Sequence, residues 1–254
     1  MAERGMAATT ASTMMKKGDF VELNYTGTLT QEKLVFDTTE EKIAKQQEIY
    51  NADATSKYKP AIICVGQNSI VKGLDDELVG KELNKEYTIV LPPEKAFGKK
   101  DAKLIQLVPT SKFLQQKIQP IPGLQVTIDN EVGTIKMVSG GRTLVDFNHP
   151  LASKEVSYTI KALRIVTDTK EKLTALMRLQ FNEEEVQATL AAQNGKNDSI
   201  TATISLKAFQ KFPQELLDQL SQEFSKKVHE LIPEITAVAL KQGKSQEKDI
   251  KKPA

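Results

Sequence analysis

A chain of 254 residues with 35 basic and 33 acidic side chains carries a formal net charge of +2, so no overall field draws it to polyanions or anionic membranes. One cysteine excludes an internal disulfide framework, and two histidines are too few for a histidine-built zinc site or a convincing catalytic triad. At about 100 to 200 residues per domain, the length allows two or three separate cores.

Residues 1–14 are rich in Ala, Thr and Met and lack the apolar run of a signal peptide, so a disordered tail is expected there. No apolar stretch is long enough to span a bilayer, and the cytoplasm is the expected compartment. Val21, Leu23 and Tyr25 alternate with Glu22 and Asn24, which predicts a strand with one face buried and Tyr25 on that face. Cys64 lies in an apolar run and reads as a small buried hydrophobe rather than a reactive thiol. Ile70, Leu74 and Leu78, with Val71 beside them, fall at helical spacing, and Gly80 stands where a left-handed cap would stop the helix. Tyr87, Ile89 and Leu91 predict another strand, ended by Pro92-Pro93 because neither proline can donate to a ladder.

Past Gly98 come three more alternating runs, Leu124-Val126-Ile128, Ile135-Met137 and Thr143-Val145-Phe147. Pro120-Ile121-Pro122-Gly123 and Ser139-Gly140-Gly141-Arg142 supply the turns between them. Tyr158, Ile160 and Ala162 then resume the strand pattern of the first part, whose sheet must close across an insertion. Beyond Thr167, Glu171 to Leu179 predicts a helix. Val186-Ala188-Leu190 and Ile200-Ala202-Ile204 predict a hairpin. A second helix follows, with Pro213 in its first turn and a stripe of Leu217, Leu220, Phe224, Val228 and Leu231. Pro233 breaks it before a last strand, Ile235 to Leu240. The Lys-rich residues 243–254 read as a solvated tail, and the Glu183-Glu184-Glu185 and Lys99-Lys100 runs as solvated faces.

The motif order Phe36-Asp37, Gly66 with Ile70-Val71 and Gly73-Leu74, Ala96-Phe97-Gly98, then Asn148-His149-Pro150-Leu151-Ala152 resembles an FKBP-type peptidyl-prolyl cis/trans isomerase. The long segment from Glu41 to Tyr58 and the insertion after Gly98 make the resemblance one to the long archaeal, SlyD-like form, over roughly residues 15 to 167. It implies an α+β fold: a half-barrel antiparallel sheet wrapped on a short helix, built from residues 15–101 and 151–167. A small all-β insert-in-flap domain would occupy 102–150 and a self-contained C-terminal α+β domain 168–242. The resemblance also implies Asp37, Tyr25 and Phe97 as catalytic groups. Phe36, Ile63, Ile70, Val71, Leu74, Leu151 and Tyr158 would bind substrate, with no metal and no cofactor. Leu74 would be the floor beneath a proline ring and the Val71 amide the donor to the carbonyl of the substrate proline. Phe97 stands where the family usually has tyrosine, so one hydroxyl contact to substrate is missing.

Residue by residue, alternatives stand beside these roles. An aspartate after a phenylalanine also ends strands and turns chains, Tyr158 also fits a plain core position, and His149 fits both a cleft border and a turn. Two functions stand as well. The first is an isomerase that accelerates folding of unfolded or partly folded proline-containing polypeptides, with apolar insert residues such as Phe113, Leu114, Ile118, Ile121 and Leu124 holding them. The alternative is a holdase binding module with a vestigial pocket. Neither involves nucleic acid or membrane, and weak homodimerisation through the C-terminal domain is the most that is expected of self-association.

Overall fold

The computed structural model describes residues 14–181, 187–192, 200–206 and 212–242. Of the tail expected at 1–14, residues 1–13 lie outside the described residues, as do the tail expected at 243–254, the Glu183-Glu184-Glu185 run, Val186 and the turn between the two strands of the expected hairpin. Met14, assigned to the tail by sequence, instead bridges Glu82, and Met15 beside it is buried. Among the described residues no helix is long and apolar enough to cross a membrane.

In chain order come β1 (Phe20–Leu29), β2 (Leu34–Thr38), α1 (Glu41–Gln46), β3 (Ala61–Cys64), α2 (Lys72–Leu78) and β4 (Glu86–Leu91). The insertion adds β5 (Ile105–Pro109), α3 (Thr110–Gln115), β6 (Gln125–Ile128), β7 (Glu131–Ser139) and β8 (Arg142–Asp146). Then follow β9 (Val156–Ile165), α4 (Thr169–Phe181), β10 (Gln187–Ala192), β11 (Ile200–Leu206), α5 (Gln214–Leu231) and β12 (Ile235–Gln242).

The first sheet runs β2-β1-β9-β4, all antiparallel, and β3 shares with β2 the edge of β1 that β9 leaves open. Period-two alternation decides what each face does. Val21 and Leu23 of β1, Ile63 of β3, Ile89 and Leu91 of β4 and Ile160 of β9 turn to one side. There Leu74 and Leu78 of α2 complete the core. The loop leading into α2 passes through left-handed backbone at Gly66 (φ 80°) and Asn68 (φ 54°). Asp75, fully buried in the first turn of α2, accepts from the Gly66 N–H at 2.8 Å and the Asn68 N–H at 2.7 Å and fixes that loop. Gly73 lets α2 lie against the turn at Pro93–Lys95, since a Cβ there would meet the Lys95 carbonyl oxygen.

The second sheet runs β5-β8-β7-β6 around Val108, Phe113, Val126, Ile135 and Val145. Both of its tight turns use two left-handed residues, Asp129-Asn130 and Gly140-Gly141, the twist that suits two-residue hairpins. Strand β5 and helix α3 carry no clear periodic signal and were not anticipated. A register shift between Ile135 and Met137 on β7 turns Met137 outward, 52% exposed, although simple alternation from buried Ile135 placed both on one face. The insert is tied to the first sheet by a polar cluster. Asp146, 5% exposed, accepts from Lys100 Nζ at 2.8 Å and from the Asn148 backbone and side-chain amides, while Asn148 Oδ1 accepts from the Asp101 N–H.

The third sheet, β10-β11-β12, pairs β10 and β11 antiparallel but β11 and β12 parallel, so α5 serves as the crossover a parallel pair requires. Pro213 sits at the cap of α5, one residue before the first turn. The core of this part, expected to be self-contained, includes residues of the first sheet. Phe20 and Cys64, on the face of β1 and β3 opposite Val21 and Ile63, are packed into one cluster with Leu173, Met177, Leu217, Phe224 and Val228. An antiparallel sheet has two faces, and α4 covers the second. Burial pushes the Cys64 thiol up to about 11, in keeping with an inert hydrophobe.

Because one core serves both parts, Phe20→Ala is expected to cost about 3–5 kcal/mol and to lower the stability of both together. All five tyrosines lie at or before Tyr158 and report only the first part, so urea unfolding followed both by tyrosine fluorescence and by far-UV circular dichroism should give coincident, equally shifted transitions; transitions that separate, leaving one part unchanged, would contradict the shared core. A second expectation concerns the insert's tether. Burial alone would raise the Asp146 carboxyl, but the hydrogen bonds from Lys100 and Asn148 outweigh it and bring it to about 2 from the usual 3.8. A depressed carboxyl stabilises the fold above its unfolded value, and this contribution drains as pH falls from about 3.8 through about 2. Asp146→Asn should therefore show a shallower loss of stability over that acid range in unfolding curves.

Candidate functional site

The site begins with a residue that has no side chain. Gly27 of β1 pairs with Asp37 of β2 on one side and Tyr158 of β9 on the other. A Cβ on Gly27 would stand 2.6 Å from Phe36 Cζ and 2.9 Å from Tyr158 Cε1, so the two rings meet over the backbone only because glycine is there. Pairing of β2 with β1 skips at this point, running from Gly27↔Asp37 to Thr28↔Val35 and leaving Phe36 as the extra residue of a bulge. A bulge re-aims side chains, and here it brings two consecutive residues, Phe36 and Asp37, onto the same cleft.

Rings then wall the cleft in an edge-to-face chain. Tyr25 and Tyr158 lie with centroids 6.1 Å apart at 60°, Tyr158 and Phe36 5.8 Å apart at 88°, and Phe36 and Phe97 5.9 Å apart at 81°. His149 lies flat on Phe97, 4.6 Å between centroids and 3° between planes, and its Nδ1 accepts from the Leu151 N–H. Leu74, 1% exposed, closes the bottom, and Ile70, Val71 and Leu151 complete the apolar lining of a cavity of about 400 Å³. That size is at the low end for small-ligand pockets. Val71 caps α2 with non-helical backbone (ψ 126°), and its N–H donates to no acceptor among the described residues. It is left for a visitor.

One carboxylate faces this apolar space. The Tyr25 hydroxyl donates to Asp37 Oδ2 at 3.0 Å, and Lys57 Nζ stands 3.0 Å from Oδ1. Burial first, then the Asp37 charge and its hydrogen bond, push the Tyr25 hydroxyl well above its ordinary 10.0. Tyr158 is raised too, by burial and then by Asp37. Both phenols are therefore donors at neutral pH. With its hydroxyl held protonated beside Asp37, Tyr25 is a poor nucleophile, and the polar groups can orient a carbonyl without moving a proton.

Nine of the ten residues assigned from the sequence line this cavity: Tyr25, Phe36, Asp37, Ile70, Val71, Leu74, Phe97, Leu151 and Tyr158. Ile63 does not. It pairs with Val21 in β3, is 1% exposed, and points into the core beneath the cleft instead of into it. His149, left between two roles by the sequence, is at the cleft wall. Lys57 and Ser69 also line the cavity and were not singled out. Lys57 arrives on a 3-10 stretch, Ala52–Lys57, braced by the stacked rings of Tyr50 and Tyr58. Nothing about a lone lysine in a polar segment marks it as the partner of an aspartate twenty residues earlier. The signal for Gly27 was present, a glycine within an alternating strand, which marks close approach by a neighbour.

Comparison with known proteins gives two family matches. The sequence model of the FKBP-type peptidyl-prolyl cis-trans isomerases matches residues 11–119, and the model described as FKBP26, IF domain, matches 106–151. Among similar proteins, the short-type peptidyl-prolyl cis-trans isomerase of Methanocaldococcus jannaschii is 34% identical over 148 residues, 58% of this chain and 92% of that one. The FKBP-type isomerase SlyD of Helicobacter pylori is 30% identical over 128 residues, 48% of this chain and 68% of that one. The FKBP-type 16 kDa isomerase of Escherichia coli is 33% identical over 111 residues, 42% of this chain and 74% of that one.

The raised phenols give a titration test. A raised group stabilises the fold fully below its unfolded value, and the contribution is lost as pH climbs from about 10 toward the higher folded value. Phenolate absorbance should show a late component from Tyr25 and Tyr158 that moves to lower pH in Asp37→Asn, where the carboxylate charge is gone. Identical curves for the two proteins would place Asp37 away from both hydroxyls.

Proposed function

This chain belongs to the FKBP-type peptidyl-prolyl cis-trans isomerase family, and from that premise we propose that its aromatic cleft turns prolyl bonds in unfolded or partly folded polypeptides while the insert holds them. A prolyl bond is a partly double C–N bond whose uncatalysed rotation takes tens to hundreds of seconds. Twisting it removes amide resonance, so the transition state has a less polar carbonyl and a more pyramidal nitrogen than either planar isomer. A cleft poor in water favours that form over both ends of the reaction. A thousandfold acceleration needs about 4 kcal/mol, which burial of one ring and one or two hydrogen bonds can supply.

The residues divide that work. Leu74 lies beneath the proline ring, and Phe36, Phe97 and Tyr158 surround it. The unoccupied Val71 N–H takes the carbonyl of the proline. Asp37, held by Tyr25 and Lys57, faces the carbonyl of the preceding residue and keeps the Tyr25 hydroxyl aimed. Phe97 brings apolar area without a hydroxyl, so grip on the substrate comes from Val71 and the walls.

The observation that carries the proposal is the convergence of these side chains on one cavity with a free amide at its rim. It also speaks for a working isomerase over a vestigial pocket. The insert supports the holding role through Leu107, Leu114, Ile121, Val132 and Met137, all more than half exposed. Phe113, Ile118 and Leu124, grouped with Leu114 and Ile121 in the sequence analysis, belong instead to the insert's own core. Holding a client next to the cleft raises the local concentration of prolines to roughly the millimolar range for short tethers. Weak contacts then suffice. Self-association through the C-terminal part is expected to be weak at most, because the apolar faces of α4 and α5 are taken by their own sheet and by Phe20 and Cys64. A lone unpaired cysteine fits the cytoplasm as the setting.

A protease-coupled assay on a proline tetrapeptide should show kcat/KM lowered roughly tenfold or more, about 1.4 kcal/mol, in Asp37→Ala and in Phe97→Ala. Replacing residues 102–150 by a short loop should leave peptide turnover in place and slow the refolding of a protein substrate. Full peptide activity in both point variants would remove the cleft from the mechanism.

A further inference from the structure

A second hollow adjoins the first. Its volume is about 130 Å³, a third of the roughly 400 Å³ of the prolyl cleft, and Ser69 lines both. On one side stand Gln67, Asn68 and Ser69 of the loop that Asp75 fixes; on the other stand Leu179, Gln180 and Lys227 of α4 and α5. Its walls therefore come from two parts of the chain, the isomerase loop and the C-terminal helices, and neither family match extends past residue 151.

From this arrangement we propose that the hollow is a subsite for the client segment that follows the proline, with a preference for an acidic side chain. The proposal rests on the isomerase reading of the first cleft and extends it. If the Val71 N–H holds the proline carbonyl, the client leaves the cleft past Ile70 and Ser69, the residues just before Val71. Ser69 is two residues from Val71, a span that an extended client covers in about two residues. Residues two and three after the proline thus reach the hollow. The lining suits a polypeptide: the side-chain amides of Gln67, Asn68 and Gln180 can each give and take a hydrogen bond from a peptide backbone. Leu179, 43% exposed, offers apolar area to a side-chain stem. Charge decides the rest. Among the lining residues Lys227 is the one that carries charge, and its Nζ donates to Gln180 Oε1, a second lining residue, at 3.1 Å. An acidic client residue gains a partner there, and a basic one meets repulsion.

The volume selects between a side chain and a larger ligand, since small-ligand pockets usually begin near 300 Å³ and this hollow is well below that. Continuity through Ser69 selects the client of the cleft as occupant over an unrelated partner. Lys227 is solvent-exposed, so its pairing is worth a modest factor.

The test compares three peptides on the intact chain by exchange NMR: one ending at the residue after proline, and two extended by three residues with Glu or Lys at the second and third positions. The Glu peptide should be turned about two- to fivefold more efficiently than the Lys peptide, the range expected for an exposed ion pair. Lys227→Glu should invert that preference and leave the short peptide unchanged, which also reports that the variant is folded. Equal rates for the two long peptides, or a preference that survives Lys227→Glu, would overturn the subsite while leaving the isomerase in place. No turnover of the short peptide would bring down the isomerase reading, and the subsite with it.

Discussion

A carboxylate pinned in an aromatic-walled cleft is the constraint to which the other features answer. Asp37 has a phenol on one oxygen and an ammonium on the other, each at 3.0 Å, and rings on its remaining sides. A carboxylate that is to meet a carbonyl at a set angle needs its partners fixed. Tyr25 comes from β1, inside the sheet, and its ring packs edge-on against Tyr158. Lys57 comes from the segment between β2 and β3 and is half exposed, so one partner is packed in the sheet and the other reaches in from solvent. The consequence is a site that offers direction without offering a base.

The rest of the fold keeps that site open and aimed. Gly27 leaves the space in which Phe36 and Tyr158 cross, and the bulge at Phe36 turns ring and carboxylate the same way. Asp75 holds the loop at Gly66 and Asn68, and so sets where the Val71 amide points. The insert enters and leaves beside Phe97 and His149, tethered by Asp146, Lys100 and Asn148. Anything held on the insert is thereby presented near the cleft. On the opposite face of the sheet α4 and α5 share a core with Phe20 and Cys64, so the third sheet is part of the support.

Much of this was legible in the residues. Alternation at Val21, Leu23 and Tyr25 and at Tyr158, Ile160 and Ala162 named two strands and their inner faces, because period two leaves no choice once one side is apolar. Motif order then carried the family. What escaped depended on contacts distant in sequence or on breaks in the period. The bulges at Phe36 and near Met137 reverse a face without altering composition, so Met137 faces solvent. Ile63 was assigned by likeness to a binding position, and its strand parity with Val21 puts it in the core. Lys57 met Asp37 only through folding of an irregular segment. The parallel pairing of β12 and the shared core were equally out of reach, since an apolar helix reads the same whether its cover is its own sheet or a neighbour's.

The central claim is that the bond turns in a dry cleft with no proton in flight. The most direct measurement is kcat/KM for the tetrapeptide in light and heavy water across neutral and mildly alkaline pH. A cleft that only holds the twisted amide gives a ratio near unity at every pH. A substantial solvent isotope effect would mean that a side chain exchanges a proton with the substrate and would contradict the mechanism drawn from this site.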